Sequence, residues 1–517
     1  MKIRSKPAFA FWKSFEAPYN KGYSSNLFTI EMAASDPLRI HLSLVSHTNV
    51  GKTTLARTLL LKDVGEVADR AHVTETTDDY VLARSSTGGE LILWDTPGFG
   101  NSVALAKRLE GRGNPLGWFL SEVWDRFTDR SFWLDQRSVR HIRDVTSVVL
   151  YLVNAAEPPD KAPYIPAEMQ ILAYIGKPVI VLLNQMGKPR PPEEEAAELA
   201  HWKTALAQYP FVTDVLPMDA FARCWVQEAA LFDAVGRAVQ PEQQSVFEEL
   251  RLSWTRARRA VYASAVEALA RHVWLQASAH EWVENAGFST KVKSVAKKLG
   301  LFSTAADPIA DAQTALSVRA ADSFCALTKT LIELHGLRGR GVSREIIRRM
   351  KSDWSLASYA VDGVRAAAVG GGIGAASGAA AGAAADVGTG GLTLGLGTLL
   401  GGIVGALGGA GAAALYNGVR KKNGVEVSWS ESAVKRFVLE AVLLYLAVAH
   451  FGRGRGDWRE GESPEFWKAS VEEALEAQHF SLEELRKEDT DLALPRVTNA
   501  VDGIVRAVFA SLYHRTV

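Results

Sequence analysis

Cysteine is almost missing from this 517-residue chain, which has only Cys224 and Cys325. That excludes a disulfide-stapled scaffold and a metal site built from several thiolates, and it suits the reducing cytoplasm. Net charge is missing as well, because 58 Lys and Arg balance 58 Asp and Glu. A general nucleic-acid coat needs a cationic excess against phosphate, so no nucleic-acid partner is expected. A secretory leader core is also lacking. The start is basic (Lys2, Arg4, Lys6), but the apolar run from Ala8 to Trp12 stops at Lys13, too short for the apolar segment of a signal peptide. Disorder is excluded by composition: 47% of residues are hydrophobic and 22% charged, ordinary values for a folded protein.

What is present falls into blocks. At about 150 residues per domain, the length predicts roughly three units. After an N-terminal extension (1–37), the region 38–240 alternates short apolar strands with helical stretches. Arg39 to Val45, Leu91 to Trp94, Ser147 to Val153 and Pro178 to Leu183 read as buried strands, because they are short, rich in β-branched residues and bounded by turn residues. Strands spaced by helices predict parallel βαβ units, hence an α/β domain with a mostly parallel sheet. A charged, tryptophan-rich stretch, 101–145, interrupts the pattern and predicts a helical insert. Trp118, Trp124 and Trp133 suit the core of that insert better than an effector surface.

Pro241 breaks the chain, and Ser245 with Glu248 makes a capping-box pattern before a long helical run,. Residues 241–365 and 420–517 read as helical, so the expected fold is an α/β domain followed by an all-α domain. Between them, Asp386 is the only charged residue from Ala366 to Val419. Glycines recur every fourth position at Gly370, Gly374, Gly378 and Gly382, and again at Gly397, Gly401, Gly405 and Gly409. Small residues at that spacing let two helices approach closely. Ala366 to Ala385, as a helix of about 30 Å, would match a bilayer core. Arg348, Arg349, Lys351 and Arg365 precede this stretch, and Arg420, Lys421 and Lys422 follow it. Basic flanks on both sides place both ends on the cytoplasmic face. The expectation is a glycine-zipper hairpin that contacts the inner membrane. A soluble, tightly packed hairpin is the alternative, since alanine and glycine gain little in lipid.

The chemistry is concentrated at Ser46-His47-Thr48-Asn49-Val50-Gly51-Lys52-Thr53. This is the phosphate-loop pattern with Ser46 in place of its first glycine. Backbone N–H groups at a helix start cradle phosphate oxygens. Lys52 reaches the outer phosphates and the Thr53 hydroxyl binds magnesium. Ser46, Asn49, Val50, Gly51, Lys52, Thr53 and Thr54 form the expected nucleotide-binding set. Downstream, Asp95-Thr96-Pro97-Gly98 ends a strand, where Asp95 can hold magnesium through water and Gly98 can bond the last phosphate.

With these motifs, residues 38–240 resemble the Era/TrmE-type GTPases related to translation factors. The resemblance implies GTP as substrate, Mg2+ held by Thr53, Asp95 and a first-switch threonine, and catalysis resting on Lys52, Thr76 and Gly98. Thr76 lies at the expected distance before Asp95, with Thr74 and Thr77 as alternatives. It also implies a potassium ion beside Asn49 that replaces an arginine finger. Two positions depart from the pattern. Phe99 stands where Ras-like enzymes carry a water-orienting glutamine, so Glu75, Asp78, Asp79 or a partner chain must orient the water. Asn184-Gln185-Met186-Gly187 replaces Asn-Lys-x-Asp. Asn184 can still tether the phosphate loop, but the acid that reads guanine is gone, which leaves GTP, ATP or weak selectivity open. Asp219, at the expected fifth motif, is a candidate substitute acid. His47 reads as a variable loop residue. A GTPase domain ahead of a helical, glycine-zipper region also resembles a bacterial family whose C-terminal domain has no assigned function. Three functions fit: a GTPase coupled to a membrane-associated helical domain, a nucleotide-triggered membrane-damaging effector, or an RNA- or ribosome-associated GTPase.

Overall fold

The computed structural model describes residues 39–60, 78–110, 113–121, 130–186, 190–220, 224–284, 308–337, 416–421, 424–450, 465–478 and 490–513. The N-terminal extension, Thr74 to Thr77, Trp124, Gly187 and residues 366–415 of the glycine-rich stretch lie outside them.

Six strands form the first sheet: β1 (Arg39–Ser46), β2 (Asp78–Arg84), β3 (Glu90–Asp95), β4 (Val148–Asn154), β5 (Val179–Asn184) and β6 (Val212–Pro217). Their order is β2-β3-β1-β4-β5-β6. All pairs are parallel except β2 with β3. The sequence pattern does not show β2, because this edge strand is polar and nowhere fully buried. The central strands are apolar runs covered on both faces, as parallel sheets require. Their alternation sorts side chains between two cores. Leu42, Leu44, Leu150 and Leu152 face one core, and Val45, Val149, Tyr151 and Val153 face the other.

Helix α1 (Lys52–Leu60) packs in the first core. The insert forms α2 (Ser102–Leu109), α3 (Pro115–Ser121) and α4 (Arg130–Asp144). These join α5 (Tyr164–Ile175) and α6 (Pro192–Leu206) over the second core. Trp118 and Trp133 of the insert are half-buried. The helix α7 (Trp225–Ala238) returns to the first core.

The helical region begins with α8 (Gln244–Ala277), 34 residues long and so about 50 Å at 1.5 Å per residue. Its first turns (Phe247, Leu250, Trp254) belong to the sheet's core. Its later turns (Tyr262, Leu269, Val273) belong to the helical core. One helix is thus shared by both. The capping-box expectation fails: Ser245 lies inside the helix, which starts after a 3-10 turn at Pro241–Gln243. Pro241 fixes φ for that turn and starts the helix upstream of Ser245.

Around α8 pack α9 (Pro308–Leu334), α10 (Glu431–Ala449) and α12 (Thr490–Tyr513), with α11 (Glu465–Ala477) against α10 and α12. Trp429, Tyr445 and Phe509 are fully enclosed there. The Tyr262 hydroxyl donates to Asp502 Oδ1 at 2.6 Å and Arg506 donates to Oδ2 at 2.7 Å, fastening α8 to α12.

The region is helical but not purely so. A three-stranded antiparallel sheet, β7 (His280–Glu284), β9 (Gly424–Trp429) and β8 (Tyr416–Lys421), runs in the order β7-β9-β8. The expected hairpin limit at Val419 is therefore corrected: Tyr416 to Val419 pair in β8. These strands are short and lie among helices, so no periodic signal betrayed them. Among the described residues, no helix is long and apolar enough to cross a membrane.

Candidate functional site

The carboxyl ends of β1, β3, β4 and β5 lie side by side. β1 is flanked by β3 on one side and β4 on the other, the switch point where open α/β sheets bind ligands. The loop leaving β1 turns sharply, with Asn49 at φ +64° and Gly51 at φ +96°, and α1 opens at Lys52. The Leu55 N–H donates to Gly51 O at 3.0 Å, so the first helical turn is formed. A helix opening in this way points its first-turn N–H groups at the loop, the geometry that suits an anion.

Lys52 folds back over the loop and donates to Ser46 Oγ at 3.1 Å. Burial, the larger influence, lowers its pKa against the opposing pull of Asp95 and Glu168. Thr53 Oγ1 donates to Asp95 Oδ2 at 2.5 Å. Asp95 is 2% exposed, and its Oδ1 is buried without a hydrogen-bond partner. Burial raises its pKa, opposed by Lys52 and the Thr53 hydroxyl. Lys52, Thr53 and Asp95 are thus brought together as expected. An oxygen-only pair with an unmet carboxylate oxygen fits a hard divalent cation such as magnesium. Among the described residues, no group of three His, Cys, Asp or Glu side chains is placed to hold a metal alone. Magnesium bound largely by phosphates and water needs no such cage.

Gly98 lies against the loop: a Cβ there would come 2.8 Å from Lys52 Nζ and 3.3 Å from His47 O. Phe99 N–H donates to Ser46 O at 2.9 Å, and Phe99 is fully buried, so this position anchors the third motif rather than facing solvent. Asp78 stands opposite Asp95 across β2 and β3. Asp79 is exposed. Glu75 and Thr76 lie outside the described residues, as do the alternatives Thr74 and Thr77. Val50 and Thr54 are buried, and Asn49 is exposed.

Asn184 performs the tether. Its Nδ2 donates to Val50 O at 2.6 Å and its Oδ1 accepts from Ala220 N at 2.8 Å. A Cβ on residue 51 would meet Asn184 Nδ2 at 2.8 Å, so Gly51 is needed both for its φ and for this approach. Asp219 accepts the Met186 N–H at 2.9 Å, which places its carboxylate beside the fourth motif.

Sequence reasoning missed a buried polar cluster next to the loop. His47 Nδ1 meets Glu168 Oε1 at 2.8 Å, and the Tyr151 hydroxyl donates to Glu168 Oε2 at 2.7 Å. His47 also stacks on Tyr164, with centroids 4.6 Å apart. His47 is therefore fixed by α5 rather than idle in its loop. The available signal was Glu168 itself, the single acid in the apolar segment from Tyr164 to Ile175. The insert also reaches the third motif. Ser138 Oγ donates to Pro97 O at 3.0 Å, and Asp135 Oδ1 accepts the Gly100 N–H at 2.9 Å. Burial, the dominant cause, lifts the Asp135 pKa from 3.8 to about 7. α4 thus braces the segment that follows Gly98.

Comparison with known proteins agrees with this geometry. Residues 41–185 match the family described as 50S ribosome-binding GTPase. Residues 203–500, more than half of the chain, match the family described as Domain of unknown function (DUF3482). The first domain is therefore a P-loop GTPase domain, followed by a helical region of the second family. No curated protein matches the chain. Among solved structures, a variant of Aquifex aeolicus Era bound to GDP.AlF4- is 19% identical over 39% of this chain and 57% of its own, with a TM-score of 0.30. Era in complex with MgGDPNP and nucleotides 1506-1542 of 16S ribosomal RNA is 17% identical over 40% of this chain and 58% of its own, with a TM-score of 0.30. A probable GTP-binding protein engB is 17% identical over 35% of this chain and 88% of its own, with a TM-score of 0.23. The matched part spans less than two thirds of either Era chain.

Proposed function

We propose that this chain, which belongs to the DUF3482 family, binds and hydrolyses GTP and couples the nucleotide state to a helical domain that contacts membrane. The observation that carries the nucleotide part is the Lys52, Thr53 and Asp95 constellation, with Asp95 Oδ1 buried and unpartnered. In this reading the backbone from Ser46 to Thr54 cradles the phosphates and Lys52 neutralises the outer ones. Thr53, Thr76 and Asp95 would hold magnesium. Gly98 offers its N–H to the terminal phosphate. Magnesium, when bound, spreads the charge that builds up as the terminal phosphoryl group leaves. Asn49 is the residue for the potassium ion. A hydrolysis rate higher in potassium than in sodium salts supports that assignment.

Helix α8 supports the coupling. Its N-terminal turns pack with α7, β2 and β3 in the sheet's core, and its later turns form the axis of the helical core. The Arg258 to Glu228 ion pair at 2.9 Å also joins α8 to α7. A change at the nucleotide edge can therefore be passed along one rigid element. The membrane part rests on the sequence from Ala366 to Val419. Sedimentation with anionic liposomes tests it. The intact protein is expected in the lipid pellet, and a protein lacking residues 366–415 in the supernatant with nucleotide binding unchanged. The deletion stops at 415 so that β8 is retained. A shortened protein that still pellets rejects the hairpin as the lipid-contacting element.

A second reading, a ribosome-associated GTPase, is favoured by the matched family's description as ribosome-binding. Co-sedimentation with ribosomes rather than liposomes would select it.

A further inference from the structure

Guanine recognition is the weak point of the nucleotide reading, because the fourth motif ends in Gly187 and offers no side chain to the base. We propose that Asp219, on the loop after β6, is the acid that reads guanine. This rests on the GTPase reading above and names the residue that makes it specific for GTP.

Three observations place this acid. First, the loops after β5 and β6 are fused into one unit. Asn184 Oδ1 accepts the Ala220 N–H at 2.8 Å, while Asn184 Nδ2 donates to Val50 O of the phosphate loop at 2.6 Å. The residues around 219 are therefore tied through one side chain to the loop that holds the phosphates. Second, Asp219 Oδ2 accepts the Met186 N–H at 2.9 Å. Its carboxylate is thus held next to the position where the usual acid is absent. The fourth motif has lost its acid, and a neighbouring loop supplies one at the same edge. Third, Asp219 is only 7% exposed. Water competes little at such a carboxylate.

The chemistry selects the base. Guanine presents two adjacent donors, N1–H and the 2-amino group, which suit the acceptors of a carboxylate. Adenine presents an acceptor at N1, which would face a carboxylate oxygen with no proton between them. Sites built to pair a polar group reject analogues that lack it by large factors, up to about 10⁴ or more. Gln185, held at φ +57° with its Nε2 3.5 Å from Asn49 O, borders the same edge.

The test uses the full-length protein with magnesium and measures affinities for GTP, ITP, XTP and ATP by calorimetry. For the unaltered protein, GTP is expected to bind at least about 10-fold tighter than ITP, which lacks the 2-amino group, and far tighter than ATP. In Asp219→Asn the amide can donate to the 2-oxo group of xanthine. GTP is therefore expected to lose about 100-fold while XTP gains about 10-fold or more, reversing the preference. An unchanged GTP to XTP ratio in a folded variant overturns the proposal and leaves the nucleotide site standing. If Asp219→Asn does not fold, equal affinity of the unaltered protein for GTP and ITP overturns it alone. If the unaltered protein binds none of the four, the GTPase reading itself fails.

Discussion

Replacing Lys52 by alanine is expected to reduce nucleoside-triphosphate affinity by at least about 100-fold. Lys52 is the cation of the loop, 8% exposed and packed between Ser46 and the third motif. Leaving one partner of a buried charge pair alone costs about 3–5 kcal/mol, and each 1.4 kcal/mol is a factor of about ten in affinity. The effect should appear in a fluorescent-nucleotide titration without loss of fold. Unchanged affinity would mean that this loop does not hold the phosphates.

The second large effect is expected at Asp135. Its carboxyl is fully buried, accepts the Gly100 N–H through Oδ1, and leaves Oδ2 without a partner. An acid whose pKa rises on folding binds its proton more tightly in the folded state. The stabilising contribution is therefore fully present below the free value, 3.8, and is lost as pH climbs through about 7,. At about 1.4 kcal/mol for each pH unit between the free and folded values, the cost of ionising it in place is of the order of 4 kcal/mol. Asp135→Asn keeps the acceptor for Gly100 and removes the charge. In urea unfolding it should lie closer to the unaltered protein near about pH 4.5 than near about pH 8.5, where it should exceed it clearly. Asp135→Ala leaves the Gly100 N–H without its acceptor and should lose about 1–3 kcal/mol on the acid side. Identical pH profiles for the unaltered protein and Asp135→Asn would show that Asp135 does not titrate in this range.

The phosphate edge was readable in the sequence because its chemistry demands fixed residue types at fixed spacing. Lys52 and Thr53 at the start of the helix that follows a strand and a short loop, with Asp95 at the end of another strand, are what a phosphate chain and its magnesium require. The apolar runs in β1, β3, β4 and β5 were equally plain, since parallel strands covered on both faces cannot hide their composition. What surrounds the site was not readable. Asp135 and Ser138 reach the third motif across 35 and 41 residues of chain, and Glu168 reaches His47 across 121. No local period reports such contacts. The sheet β7-β9-β8 escaped notice because its strands are short and β7 lies far from β8 and β9 in the sequence. Ser245 misled because a local capping pattern was read without the turn that Pro241 sets. The fourth motif shows both limits together. The loss at Gly187 is visible in the sequence, whereas the placement of Asp219 beside Met186 requires the fold.

The central claim is that this edge hydrolyses the terminal phosphoanhydride of GTP. Phosphate release from GTP by the full-length protein, in magnesium and potassium salts, with Lys52→Ala as the control, tests it most directly. The expected result is release of one phosphate per GTP with GDP as the other product, abolished by chelating magnesium and absent in Lys52→Ala. Release that continues unchanged in Lys52→Ala, or no release at all, would contradict it.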